Sequence, residues 1–171
     1  LVGLITRILT NNYDLVLGIE PSSKNRAAIF RNQSIGKNNL IVFPFAVSDK
    51  IGTDKLGISD TSCGANSLLK SELSNPDFYE EIKLIKLDDL VINSKWLDSR
   101  KVNLIKIDIQ GYELKALKGA IEIIKNHRPV ILCEVETKKN SNEVEIENFL
   151  SSFGYKKVDN ISHDRIYVCE D

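Results

Sequence analysis

Three carboxylates in this sequence stand where an apolar run stops. Glu20 closes "DLVLGIE", Asp49 closes "FPFAVSD" and Asp108 closes "NLIKID". An acidic side chain at such a place can do two different things. It can accept the N–H groups of a following turn or helix, whose N-terminal dipole favours an anion. It can also face a ligand, because open parallel sheets bind ligands beyond the carboxyl ends of their strands. For Glu20 the ligand role would be to accept both hydroxyls of a ribose, as acidic residues do in dinucleotide-binding folds. The residues alone leave both roles open. Asp108 is followed by Gly111, which can take a backbone conformation closed to other residues, and by Glu113 in the first turn of a helix. "IDIQGYE" therefore reads either as a turn device or as part of an active centre.

Other chemistries have little to rest on. The chain contains no G-x-x-x-x-G-K-[ST], no G-x-G-x-x-G and no G-x-S-x-G, which argues against a P-loop, an ordinary dehydrogenase and a serine hydrolase. Cys63, Cys133 and Cys169 are odd in number and widely spaced. Cys133 and Cys169 fall inside apolar strand-like runs, which suits small core residues in a reducing, cytoplasmic setting. His127 and His163 fall in expected loops with no ligand spacing, so no metal is expected. The 23 basic and 24 acidic side chains nearly cancel, so neither nucleic acid nor an anionic membrane is an expected partner. No apolar run approaches the roughly 20 residues of a membrane span.

The elements that must position these carboxylates alternate in type. Helical spacing covers 2–11, through Val2, Leu4, Ile5, Ile8 and Leu9, and a buried strand follows at 14–20. "PSSKNRAAIFRNQSIG" reads as a helix capped by Ser22 or Ser23, and 39–49 as a second buried strand. "DKIGTDKLGIS" suggests a hairpin-forming excursion, "SNPDFYEE" a polar turn or short helix, and "IKLIKL" a half-exposed strand. A short helix is expected from Asp88 or Asp89 to about Leu97. "KVNLIKID" is a strand, and "YELKALKGAIEIIKNH" one helix with a buried stripe at Leu114, Leu117, Ile121 and Ile124. Then come strand "RPVILCEVE", helix "SNEVEIENFLSSFG" and two short strands at the end, antiparallel to each other. The 171 residues form one domain, 1–171, of α/β class with a mainly parallel sheet and an antiparallel C-terminal edge hairpin.

In the order "VLGIEPSSKN", "VFPFAVSDKIGTDKL", "GANSLL", "IKLDDL", "LIKIDIQGYELKALKGA" and "PVILCEVE", the sequence resembles the FkbM family of S-adenosylmethionine-dependent methyltransferases. The resemblance runs over essentially the whole chain. It implies a class I, Rossmann-like methyltransferase fold, helices on both faces, S-adenosylmethionine as cofactor, and O-methylation of a hydroxyl on a sugar or natural product. It also implies cofactor contacts at Gly3, Glu20, Pro21, Ala46, Val47, Ser48, Asp49 and Asp108. Glu20 would hold the ribose and Ala46–Ser48 would line the adenine pocket. Asp108 would sit near the transferred methyl, first candidate for orienting the acceptor or taking its proton, with Glu113 second.

Two departures qualify the resemblance. The family's glycine loop before the first helix is represented only by Gly3, so the first strand is expected to be missing. The sheet would then have a gap that an upstream segment or a second copy could fill, and a homo-oligomer is a possible partner arrangement. Gln110 also stands where the family usually has Glu, which weakens any role needing that charge. A non-catalytic methyltransferase-like domain that binds a nucleoside or partner chain is the alternative reading. Residues 57–82 are the expected substrate lid.

Overall fold

The computed structural model describes residues 4–33, 38–58, 76–92, 100–135 and 142–170. They fall into two compact units: 1–46 with 52–84, and 47–51 with 85–171.

In the first unit, α1 (Leu4–Asn12) leads into β1 (Val16–Ile19), which pairs in parallel with β2 (Leu40–Phe43) after helix α2 (Ser23–Gln33). The apolar run at 14–20 was expected to be buried on both faces. Only Val16 of β1 is buried, the other three residues being half-exposed. Ile5 and Ile8 on α1 also remain exposed. The expected strand over 39–49 is two strands. Pro44, without an N–H to donate, ends the β2 ladder, and β3 (Phe45–Val47) joins another sheet. That sheet has the order β3-β5-β4, with β4 (Gly52–Ile58) antiparallel to β5 (Phe78–Ile85). "DFYEE" is therefore largely strand, not turn or helix. Ala46, Leu56, Ile58, Ile82 and Leu84 form this unit's buried apolar cluster. Most of the expected lid, residues 59–75, lies outside the described residues.

In the second unit, α3 (Leu87–Val91) precedes β6 (Leu104–Ile107), α4 (Glu113–Lys118), α5 (Ile121–His127) and β7 (Val130–Glu134). Then come α6 (Glu143–Ser151), β8 (Tyr155–Ile161) and β9 (Asp164–Cys169). The sheet order is β6-β7-β9-β8: β6 and β7 are parallel, and β9 runs antiparallel to both β7 and β8. The C-terminal antiparallel hairpin is thus as expected, whereas the mainly parallel sheet is not. Among the described residues β1–β2 and β6–β7 are parallel while β4–β5, β7–β9 and β8–β9 are antiparallel, so the α/β fold has mixed sheets. Ile131, Cys133, Val135, Ile146, Leu150, Ile123 and Ile124 make a core that excludes water almost completely.

The single helix expected over 112–127 is broken at Gly119 and Ala120, although its apolar stripe continues across the break. Gly119 packs against the carbonyl of Ser48, where no side chain fits. Asp88 then takes over the start of α5: its two carboxylate oxygens accept the N–H groups of Glu122 and Ile123, each at 3.0 Å. Among the described residues, β1 pairs only with β2, and β6 only with β7.

Candidate active site

Glu20 lies just beyond β1, in the first unit. Its Oε1 accepts the Ser22 N–H at 2.8 Å and its Oε2 accepts the Asn25 side-chain amide at 3.3 Å. Burial raises its pKa above the usual carboxylate value, the two hydrogen bonds and Arg26 oppose that rise, and Glu80 adds to it. Glu80, on β5, sits at the same helix start, with both oxygens 3.3 Å from the Ser23 amide nitrogen. The Arg26 guanidinium ties the approach to α2 by donating to the Glu20 and Pro21 carbonyls at 3.0 and 2.6 Å. The capping role of Glu20 is therefore realised. Each carboxylate oxygen has a second lone pair, so hydrogen-bond capacity for a diol remains. Glu80 escaped the sequence reading because "FYEE" is exposed or half-exposed throughout and carries no buried-face pattern.

Ala46 is buried in the first unit's apolar cluster. The other three residues of that segment belong to the second unit. Val47 is half-buried, Ser48 fully buried and Asp49 exposed. The Ser48 hydroxyl donates to Asp49 Oδ1 at 3.1 Å and lies 3.4 Å from the Tyr112 hydroxyl. This second contact brings the segment against the turn that follows β6, within one unit.

That turn carries Asp108. Gln110 and Gly111 both have left-handed backbones, φ 53° and 88°, so the chain reverses sharply between the strand and α4. Glu113, a buried residue, holds the turn: its Oε1 accepts the N–H groups of Ile109 at 3.3 Å and Gly111 at 2.9 Å. Asn142 closes it from the other side, donating to the Gly111 carbonyl at 3.4 Å. Burial raises the Glu113 pKa against the lowering effect of these backbone donors. Its oxygens are engaged with the turn, a geometry that suits support of Asp108.

Asp108 itself is open, with 45% of its side chain exposed. Its Oδ2 lies 4.0 Å from the Lys106 ammonium, which in turn contacts Asp164 Oδ1 at 2.7 Å. Parallel register pairs Ile107 with Cys133, so Asp108 and Glu134 follow side by side at the strand ends. A hydrogen bond to Asp108, with burial behind it, pushes the Glu134 pKa up to about 7. Lys106, Glu134 and Asp164 were not singled out from the sequence. The K-x-D spacing, which puts two side chains on one strand face, was the available signal.

The other sites are quickly placed. Gly3 and Cys63 lie outside the described residues. Cys133 is buried on β7 and Cys169 half-buried on β9, both as free thiols. His127 ends α5, and its Nδ1 accepts the Val102 N–H at 3.0 Å. Among the described residues, no helix is long and apolar enough to cross a membrane.

In the second unit, an α/β arrangement leaves the acidic Asp108 open just past one of two parallel strands and before a glycine-containing strand-to-helix turn. The methyltransferase FkbM domain model matches residues 4–157, and the chain belongs to that family. The chain is also similar to the crystal structure of Methyltransferase FkbM from Methylobacillus flagellatus KT, at 17% identity and a TM-score of 0.62. That alignment covers 98% of this chain and 40% of the other, so this chain spans less than half the length of that relative. No curated protein matches the sequence.

Proposed function

We propose that the chain forms the methyl-transferring domain of an S-adenosylmethionine-dependent O-methyltransferase acting on a small hydroxylated acceptor, such as a sugar or natural product. The observation that carries this reading is the exposed Asp108 carboxylate beyond β6, backed by Lys106 and Glu134 and held on a turn braced by Glu113. Family membership supplies the reaction class.

The residues fit the cofactor at one clear point. Glu20 is fixed by Ser22 and Asn25 yet keeps lone pairs free for two ribose hydroxyls. Pro21, Val47 and Asp49 are the other candidates to border the nucleoside. Ala46 and Ser48 contribute through backbone shape, since both side chains are buried. When bound, S-adenosylmethionine supplies a sulfonium-activated methyl group. The chain's own task is then to orient the acceptor oxygen and remove its proton. Asp108 is the carboxylate assigned to that proton in this reading. Glu113 acts through the turn and not on the acceptor. A class I methyltransferase fold belongs to this reading. The domain works as a water-soluble, cytoplasmic enzyme in this reading.

Calorimetric titration of S-adenosylmethionine into the full protein tests the cofactor, and a Glu20→Gln variant should weaken that binding about tenfold or more, for loss of charge-assisted hydrogen bonds. Mass analysis of hydroxylated candidates incubated with the cofactor tests the reaction. Binding without turnover on any candidate would favour a non-catalytic nucleoside-binding domain. An Asp108→Asn protein that methylates at the unaltered rate would remove the proton-acceptor role.

A further inference from the structure

Strand register places three carboxyl groups in one row across the second unit's sheet. Asp108 continues β6 beside Glu134 on β7, since Ile107 pairs with Cys133 one step earlier. Glu134 pairs directly with Asp164 on β9. Three adjacent carboxylates repel one another, and the arrangement needs a cation. Lys106, two residues before Asp108 and therefore on the same strand face, provides it. Its side chain is only 11% exposed, so the ammonium is held largely out of water and needs its partners.

We propose that Lys106 is a positioning residue for Asp108: clamped by Asp164 across the sheet, its ammonium fixes the Asp108 carboxylate against Glu134 at the carboxyl ends of β6 and β7. The clamp is the short 2.7 Å contact, and the 4.0 Å contact is the one that steers Asp108. This rests on the reading of Asp108 as the residue that meets the acceptor, and adds how Lys106, with Asp164 behind it, holds that carboxylate in place.

The charged and titratable groups facing Glu134 come from every neighbouring strand. They are Lys106 on β6, Asp108 just beyond it and Asp164 on β9, whereas Cys133, one residue before Glu134 on β7, points to the opposite face. Burial holds the Cys133 thiol protonated, so it contributes no charge. The Asp108 hydrogen bond and burial raise the Glu134 pKa, whereas Lys106 lowers it. Glu134 thus gives up its proton close to neutral pH. Above that point Glu134 is ionised and Asp108 is free of its donated hydrogen bond, which makes the pair a better acceptor for a hydroxyl proton.

The test needs neither cofactor nor acceptor. Carbon-detected NMR of the full protein with labelled glutamate should show one side chain, assigned by its loss in Glu134→Gln, titrating near pH 7. Lys106→Met should raise that midpoint by about one unit, Lys106→Arg should restore it, and Asp108→Asn should return it towards the ordinary range. A crystal structure of Lys106→Met should show the Asp108 carboxylate turned away from Glu134. An unmoved midpoint with Asp108 in place would overturn the proposal. If Lys106→Met fails to fold, Lys106→Gln gives the same readout with a polar side chain. Failure of Asp108→Asn to impair methylation would sink the proton-acceptor reading and leave the midpoint result standing by itself.

Discussion

Gly119 lies so close to Ser48 that a Cβ built on it would fall 2.0 Å from the Ser48 carbonyl oxygen. Its φ is −83°, which any residue can adopt. The requirement for glycine here is therefore one of space. The obstructing atom is backbone, which cannot swing aside as a flexible side chain could. Gly119→Ala must push α4 and the 47–49 segment apart, at a cost of about 1–3 kcal/mol or more for overpacking. Urea unfolding of the two proteins should show a lower midpoint for the variant with an unchanged slope. An equal midpoint would mean that the two segments are not in contact in solution.

Asp88 and the start of α5 make a second such joint. The Asp88 carboxylate accepts two amide groups that no helical carbonyl can reach, and its own N–H donates to the Gly119 carbonyl at 2.9 Å. Asp88→Ala should cost about 1–2 kcal/mol, the range for losing a helix cap. Asp88→Asn keeps an acceptor and should recover part of that loss. Hydrogen exchange would locate the effect, with faster exchange expected at Glu122 and Ile123 in Asp88→Ala.

Glu113 gives a pH dependence of definite sign. Its folded pKa lies above the ordinary 4.5 because burial disfavours the charged form. The folded state therefore binds its proton more tightly than the unfolded state. The stability due to this proton is full below pH 4.5 and is lost as pH rises through the folded value. Glu113→Gln cannot ionise and should lack that decline, gaining on the wild type as pH rises. Unfolding free energies at three pH values between 4.5 and 8 would check it, and a constant difference would refute it. Glu113→Ala should instead lose about 1–3 kcal/mol at every pH by orphaning the Ile109 and Gly111 amides.

These three sites show what the sequence carried and what it hid. Glu20 and Asp108 at strand ends, the β6–α4 turn with Gly111, and the closing β-hairpin could be read because each is local: apolar runs, one glycine and short spacing fix them. The Gly119 break could not be read, since the 3, 4, 3 spacing of Leu114, Leu117, Ile121 and Ile124 continues through it. The Ser48 backbone, 71 positions before Gly119, sets the need for glycine there, and Asp88 caps the helix that starts anew. Pro44 did carry a readable signal for splitting one long strand into two. The row of Asp108, Glu134 and Asp164 depends on register across three strands, which no local pattern encodes. The half-exposure of β1 likewise depends on what packs around it.

The ion pair between Arg165 and Glu143 should dominate the acid side of the stability curve. Arg165 donates through Nε to Glu143 Oε1 at 2.6 Å and through Nη2 to Oε2 at 3.3 Å, the two-pronged geometry that suits guanidinium and carboxylate. The arginine side chain is 8% exposed, so its charge depends on this partner. Lys157 adds a weaker contact to the same Glu143 oxygen at 3.3 Å. The Arg165 hydrogen bond, ahead of any other influence, lowers the Glu143 pKa below 4.5. A depressed carboxyl pKa contributes stability that is fully present above 4.5 and lost as pH falls through the folded value. Glu143→Gln keeps the shape but removes the charge. It should cost about 1–3 kcal/mol at pH 7, the range for a charged hydrogen bond with one partner removed. The loss should shrink as pH falls below 4.5 and through the folded value, where the wild type gives up the same contribution. Acid titrations of both proteins, followed by circular dichroism, should therefore converge as pH falls, and parallel curves would show that the pair does not drive acid unfolding.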